Sequence, residues 1–383
     1  MTVIENDPFF DIRPYRDDEV PAVIARLRGD YALADNLAKL RLPLLHARFP
    51  TLGRFLVRRW LVWKLRCVST VEQFQALVEP QLQLQIDATA DFSCSGLAAL
   101  SADESYLFIS NHRDIAMDPA FTNYALYHSG HRTVAIAIGD NLLREPWVAD
   151  LMRLNKSFIV KRNITAPREL LAASKQLAGF IRNHISTNQG PVWLAQREGR
   201  AKDGVDATEP AVIKMLSLGQ ERKTESLSDA LNALKIVPVA ISYELDPCDG
   251  AKAAELAGGL SYQKADDEDV RSIGLGIAGQ KGRVHLAFGK PIAGAELDVS
   301  TVVGAINAHM VGQYRLFEVN LWAWQILEGT AAVPPLTIHG GTISRQAFEE
   351  RLASFPEAHK AIALAMYANP LRRSLAEHER GTT

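Results

Sequence analysis

The middle of this 383-residue chain is predicted to form an α/β fold, a mostly parallel central sheet with flanking helices. An all-helical N-terminal region precedes it and C-terminal helices follow. Two observations lead there. Between about residues 105 and 290, short apolar runs rich in β-branched and aromatic residues alternate with stretches of helical periodicity. Those runs are apolar throughout instead of at every second position, which suits strands covered on both faces, as in a parallel sheet. The composition agrees: 47% hydrophobic and 22% charged residues describe a globular chain with a sizeable core.

From residue 15 to about 85, apolar residues recur at spacings of three and four, with breaks near Pro43, Pro50 and Thr70, so this region reads as several helices. Strands are expected at 106–110 (YLFIS), 133–138 (TVAIAI), 157–162 (SFIVKR), 191–196 (PVWLAQ), 235–244 (KIVPVAISYE) and 283–289 (RVHLAFG). Helices are expected near 119–128, 142–153, 167–187 and 208–218, with Pro167 in the first turn of the third. The run ADDEDV at 265–270, after Gly258 and Gly259, reads as a surface loop or insertion. Residues 299–328 and 345–383 return to helix on either side of the Pro- and Gly-rich AAVPPLTIHGG. The resulting division is a helical region 1–90, an α/β domain 91–298 and a C-terminal helical region 299–383.

Charge narrows the function classes. With 42 basic and 44 acidic side chains the net charge is −2, so no overall field draws the chain to nucleic acid, and no nucleic-acid partner is expected. Three scattered cysteines, Cys67, Cys94 and Cys248, form no C-x-x-C pair and fit a reducing compartment. The first twenty residues lack a basic stretch followed by an apolar one, so a cytoplasmic location is expected. No window approaches the roughly 18–20 uninterrupted apolar residues of a membrane span. One segment departs from the average: residues 36–71 hold Lys39, Arg41, Arg48, Arg54, Arg58, Arg59, Lys64 and Arg66 and no acidic residue, interleaved with Trp60, Trp63, Phe49, Phe55 and leucines. Basic residues beside large apolar ones suit a helix lying in the headgroup plane of an anionic membrane; an ordinary bundle helix with solvated arginines is the alternative.

Several motif matches dissolve in context. GLGIAG (274–279) has the G-x-G-x-x-G spelling, but a strand follows it where a dinucleotide fold needs a helix, so a glycine-rich hairpin is expected. His112-Arg113-Asp114 lacks the Asn and the D-F-G of a kinase, and His339-Gly340-Gly341 has no G-x-S-x-G partner. No H-E-x-x-H occurs, and no metal is expected. His46, His128 and His285 read as structural or surface residues.

The informative segment is YLFISNHRDIAMDPAF (106–121). It places Asn111 and His112 just past the carboxyl end of a buried strand, where open α/β sheets hold their ligands. An imidazole there, with Asp114 and Asp118 nearby, suits general-base work: a carboxylate on one ring nitrogen fixes the tautomer and leaves the other free for a proton. The plainer possibility is that His112 and Asp118 cap the helix starting at Pro119.

N-H-R-x-x-x-x-D-P resembles the first block of the glycerolipid acyltransferase family, which includes glycerol-3-phosphate and lysophosphatidate acyltransferases, and the remaining blocks have counterparts in order. Asn111, His112 and Asp118 are similar to its catalytic block. Residues 139–162, with Asn141, Leu142, Phe158 and Arg162, are similar to the second, Glu198-Gly199-Arg200 to the third, and Val237-Pro238-Val239 with Tyr243 to the fourth. FGKPI (288–292) resembles a closing strand, so the likeness spans about 100–295. Two departures stand out. Five residues separate His112 from Asp118 where the family has four, leaving the partner carboxylate open between Asp118, positioned by Pro119 and its helix, and Asp114, expected to face solvent. The third block reads Gln196-Arg197 before Glu198 in place of Phe-Pro.

The resemblance implies an O-acyltransferase moving a fatty acyl group from acyl-CoA or acyl carrier protein, as co-substrate and with no cofactor, to a hydroxyl of a phosphorylated glycerol or a lysophospholipid. His112 and Asp118 would be catalytic. Asn111, Arg113, Asp114, Lys161, Arg162, Glu198, Gly199 and Arg200 would bind substrate, the cations at the acceptor phosphate and Gly199 allowing close backbone approach. Residues 36–71 would dock on the inner face of the cell membrane as a peripheral anchor. The competing readings are a non-catalytic lipid-binding protein on the same fold and an acyltransferase for a lipid acceptor other than a glycerophospholipid.

Overall fold

The computed structural model describes residues 7–162, 164–220, 225–265 and 267–382. In chain order its elements are α1 (Val20–Gly29), α2 (Tyr31–Arg41), α3 (Pro43–Arg48), α4 (Pro50–Lys64), α5 (Val71–Thr89), β1 (Ala90–Ser95), β2 (Leu107–Ser110), α6 (Met117–His128), β3 (Ala135–Gly139), α7 (Pro146–Leu154), β4 (Ser157–Val160), α8 (Pro167–Ser186) and β5 (Val192–Ala195). There follow α9 (Pro210–Ser217), α10 (Leu227–Asn232), β6 (Ile236–Tyr243), α11 (Asp249–Gly258), α12 (Glu268–Ala278), β7 (Gly282–Phe288), α13 (Val299–Gly312), α14 (Glu318–Glu328), α15 (Arg345–Ala353) and α16 (Glu357–Thr382). The chain packs as two compact units, Met1–Gln81 with Ala135–Ala173, and Leu82–Val134 with Ser174–Thr383, so that the second-block segment groups with the N-terminal helices.

In the first unit, proline and a capping aspartate set the helix boundaries. Pro43 and Pro50 stand in the first turns of α3 and α4, where a missing N–H costs nothing, and Asp30 caps α2 by accepting the Leu33 N–H at 2.8 Å. Val20, Val23, Ile24 and Leu27 line one face of α1 and meet Leu33, Ala34 and Ala38 of α2 and Val57 and Leu61 of α4 in a single apolar cluster. The fully buried face of α4 is thus the small one, Gly53, Val57 and Leu61, with Trp60 packed half-buried against the cluster. Leu52, Phe55, Leu56, Val62 and Trp63 are exposed, and Leu44 of α3 is 88% exposed. Strands β3 and β4 pair in parallel in this unit.

The second unit is built on strands in the order β1-β7-β6-β2-β5. β2 pairs in parallel with both β5 and β6, β1 pairs in parallel with β7, and β7 runs antiparallel to β6. Every residue of β2 and β6 is buried, as their uninterrupted apolar sequences require. Because β2, β5 and β6 run the same way, their carboxyl ends share one edge. Helices α14, α15 and α16 close over a separate apolar cluster around Phe317, Phe348 and Tyr367.

Three local expectations are corrected. The sequence reading places no strand at β1, ADFSCS: it is an edge strand rich in exposed polar residues, so only Phe92 signals it strongly. The run at 265–270 does not stay a loop, because α12 starts at Glu268, with acidic residues in its first turn; residue 266 lies outside the described residues. GLGIAG is no hairpin: residues up to Ala278 form the end of α12, and β7 follows.

Candidate active site

β2 ends at Ser110, and the next two residues set the site. Asn111 plugs the gap between strands: its amide oxygen accepts the Ile241 N–H at 2.7 Å and its Nδ2 donates to the Ile241 carbonyl at 2.9 Å, a side chain completing a ladder rung between β2 and β6. This anchors the turn from which His112 projects. The His112 ring packs edge-on to Trp193 of β5, centroids 5.5 Å apart, and its side chain remains 14% exposed.

Asp118, in the first turn of α6, is fully buried and receives four hydrogen bonds. Its Oδ2 accepts from His112 Nδ1 at 2.8 Å, the Arg113 N–H at 2.6 Å and the Asp114 N–H at 2.9 Å, while its Oδ1 accepts from the Tyr243 hydroxyl of β6 at 2.7 Å. Burial opposes the charge, but the His112 ring, the backbone donors and Tyr243 outweigh it and hold the carboxyl below its usual value. An ionised carboxylate can only accept, so Nδ1 carries the ring proton and Nε2 presents a lone pair. Among the described residues Nε2 has no hydrogen-bond partner. Burial, with Asp118 opposite, pushes the Tyr243 hydroxyl well above its ordinary range and keeps it a donor.

The extra residue between His112 and Asp118 is taken up by Asp114. Its Oδ1 accepts the N–H groups of Ala116 at 2.9 Å and Met117 at 2.8 Å, winding residues 114–117 into a turn that delivers Asp118 to the imidazole. Asp118 is therefore the partner. Asp114, expected to face solvent, is 3% exposed, and burial together with the Asp118 charge raises its pKa. The carboxylate of Asp114 lies against Gly276 of α12 so closely that a Cβ there would fall 2.0 Å from Asp114 Oδ2. One turn earlier on the same helix, Ser272 accepts a hydrogen bond from Arg200 at 3.3 Å, so α12 braces both the His112 turn and the loop after β5.

That loop holds the third block. Its Ala201 N–H donates to the His112 carbonyl at 2.7 Å, Glu198 is exposed and Arg200 half-buried. Gly199 has φ +73° and open space where a Cβ would be, so the turn needs its left-handed backbone and not the close approach expected of it. Of the remaining expected substrate contacts, Asn111 and Arg113 are buried: Arg113 donates to Asp206 at 2.7 Å, the carboxylate that also accepts from Asn111 at 3.1 Å, and stacks under Tyr314 at 5.1 Å. Lys161 and Arg162 follow β4 in the first unit, Lys161 paired with Asp11 at 2.5 Å and the Arg162 N–H bonded to Asp140 at 3.2 Å.

Residues without a motif complete the support. Lys252 of α11, 2% exposed, donates to the Arg113 carbonyl at 2.7 Å and pairs with Asp246. Asp249 beside it is held by Arg351 of α15 at 2.8 Å and by the Tyr367 hydroxyl of α16 at 2.7 Å, so the C-terminal helices reach the underside of the His112 loop. No sequence pattern announces this network; only the amphipathic helices that bear it do. Among the described residues no three His, Cys, Asp or Glu side chains gather as a metal site.

Residues 91–242 match the model of the family described as Acyltransferase, a span that includes β1, β2, His112, Asp118, the loop after β5 and most of β6. No curated protein matches the chain. Among solved structures it is similar to the crystal structure of the 1-acyl-sn-glycerophosphate (LPA) acyltransferase, PlsC, from Thermotoga maritima, at 15% identity and a TM-score of 0.32, over 76% of this chain and 93% of that one.

The buried carboxylate makes stability depend on pH. Because folding lowers the Asp118 pKa, its contribution is complete above the unfolded value of about 4 and is lost as the pH falls through the folded one. Tyr243→Phe removes a donor to the charged form, so it is expected to cost about 1–3 kcal/mol at pH 7 and to move acid unfolding to higher pH. Urea titrations at neutral and acid pH check this; a wild-type-like acid midpoint contradicts it.

Proposed function

We propose that the segment matching the acyltransferase family is a working O-acyltransferase that esterifies a hydroxyl of a phosphorylated glycerol or lysophospholipid. The observation that supports it most is the imidazole whose Nδ1–H is held by a buried, ionised Asp118 and whose Nε2 is unengaged. In this reading Nε2 takes the proton of the acceptor hydroxyl as its oxygen attacks the carbonyl carbon of an acyl thioester. The tetrahedral adduct then collapses, the C–S bond breaks, and the leaving thiolate takes the proton back from His112. Asp118 stays ionised throughout, orienting the ring and stabilising the imidazolium. No covalent acyl-enzyme and no cofactor is needed.

Arg200 is offered to the acceptor phosphate from the loop after β5, with Glu198 and Gly199 shaping the turn. The assignment of Lys161 and Arg162 to the same phosphate rests on the sequence blocks alone. Asn111, Arg113 and Asp114 act indirectly, by holding the loop.

The first unit is read as the attachment to an anionic bilayer on the cytoplasmic face. Two of the eight basic residues, Lys39 and Arg54, share the single carboxylate of Asp35, which offsets one positive charge. Arg41, Arg48, Arg58, Arg59, Lys64 and Arg66 have no carboxylate partner among the described residues, and most lie against aromatic rings, Arg41 on Trp60 at 4.4 Å and Arg58 on Tyr31 at 4.8 Å. Unpaired cations around exposed Leu44, Phe55 and Trp63 fit acidic headgroups over acyl chains. No helix among the described residues is long and apolar enough to cross a membrane.

Purified protein given long-chain acyl-CoA or acyl carrier protein, with sn-glycerol 3-phosphate or lysophosphatidate, is expected to release free thiol and form the ester. His112→Ala should lower this rate about 10²–10⁴-fold. Asp118→Asn should be severe and Asp114→Asn mild, since an amide oxygen at 114 can still accept both backbone N–H groups. Wild-type turnover in His112→Ala, or a severe effect confined to 114, contradicts the reading.

In sedimentation with liposomes, the protein should pellet with phosphatidylglycerol vesicles, less so as salt shortens the Debye length from about 10 Å at 0.1 M, and Arg58→Glu/Arg59→Glu/Trp63→Ala should remain in solution. Equal pelleting with neutral vesicles, or none with either, removes the docking surface.

A further inference from the structure

The second unit contains a cavity of about 440 Å³ that the acyl-transfer reading does not use. It lies at the β1–β7 side of the sheet, beneath the chain joining α13 to α14 and beside α16, and none of the groups bonded to Asp118 lines it. Its polar wall is a set piece. His285 of β7 is 4% exposed and bridges two hydroxyls of β1, Ser93 at 2.8 Å and Ser95 at 3.0 Å. Burial first, then Arg315 and His339, hold this imidazole down at about 4, so it is a neutral hydrogen-bonding group at physiological pH. Arg315 lines the same space half-buried, and among the described residues its guanidinium has no carboxylate partner. The one acidic lining residue, Glu377, is exposed at the rim and paired with Arg380 at 2.8 Å. Val311, Leu316 and Leu336 give the lining an apolar part.

A half-buried guanidinium without a counter-charge is free to hold an oxyanion through paired, charge-assisted hydrogen bonds. We propose that this cavity binds an amphiphilic anion, its carboxylate or phosphate monoester head on Arg315 and a short apolar body against Val311, Leu316 and Leu336. The site is separate from the His112 centre, although Tyr314 forms a wall of the cavity on one side and lies over Arg113 on the other.

Calorimetric titration of the full-length protein with octanoate and with octyl phosphate tests it, with octanol and inorganic phosphate as head-less and tail-less controls. At least one of the two amphiphiles should bind at least tenfold more tightly than either control, and the tighter one identifies the head. His112→Ala should bind it as wild type does, whereas Arg315→Gln should weaken it at least tenfold. Leu336→Trp fills the space without touching the charge and should also abolish binding; it decides the matter if Arg315→Gln does not fold. No binding of either amphiphile, equal binding of a control, loss of binding in His112→Ala, or retention in a folded Arg315→Gln or in Leu336→Trp overturns the proposal.

Discussion

A carboxylate with no exposed surface, Asp118, sits where β2, β6 and α6 converge, and the geometry of the site depends on keeping it charged. An isolated buried carboxylate would take up a proton instead. Here two backbone N–H groups, a tyrosine hydroxyl and an imidazole converge on it, and the amino end of α6 adds its dipole. Each donor comes from a different constraint: the turn after β2 supplies the N–H groups, the end of β6 supplies Tyr243, and the ring is supplied by a loop whose start Asn111 pins to Ile241. A change in any of these alters the orientation and hydrogen bonding of the His112 ring.

Behind that centre stands a second layer that makes no hydrogen bond to the His112 or Asp118 side chains. Asp206 joins Asn111 to Arg113, Lys252 holds the Arg113 carbonyl, and Asp246 and Asp249 carry the load outward to Arg351 and Tyr367. A mobile imidazole would spend little time in the one orientation that proton transfer needs, and such buttressing restricts it. The C-terminal helices thereby belong to the site structurally, although they lie outside the segment that matches the acyltransferase family.

Much of this is legible in the sequence. Uninterrupted apolar runs located six strands, because a strand covered on both faces has no polar alternation to hide it, and Pro43 and Pro50 marked the helix breaks in the first unit. The edge strand β1 escapes for the converse reason: its polar, exposed residues weaken its signal. His112 and Asp118 were found together, yet their spacing left the partner open, since sequence distance does not show that the Asp114 side chain winds the intervening turn. GLGIAG misleads because three glycines just before a strand suggest a turn, whereas Gly276 is needed inside a helix to admit the Asp114 carboxylate. The sequence assigns Asn111 and Arg113 to the substrate on the strength of their neighbours; burial and their bonds to Ile241 and Asp206 are visible only in the fold.

The central proposal is that His112 and Asp118 act as one catalytic unit, and a double-mutant cycle on thioester turnover tests it most directly. Rates are compared for wild type, His112→Ala, Asp118→Asn and the double variant, all confirmed folded. If the carboxylate works only through the ring, the double variant is no slower than His112→Ala alone, and the two effects are strongly non-additive. If the two losses multiply, Asp118 does not act through His112 and the dyad is not the catalytic unit.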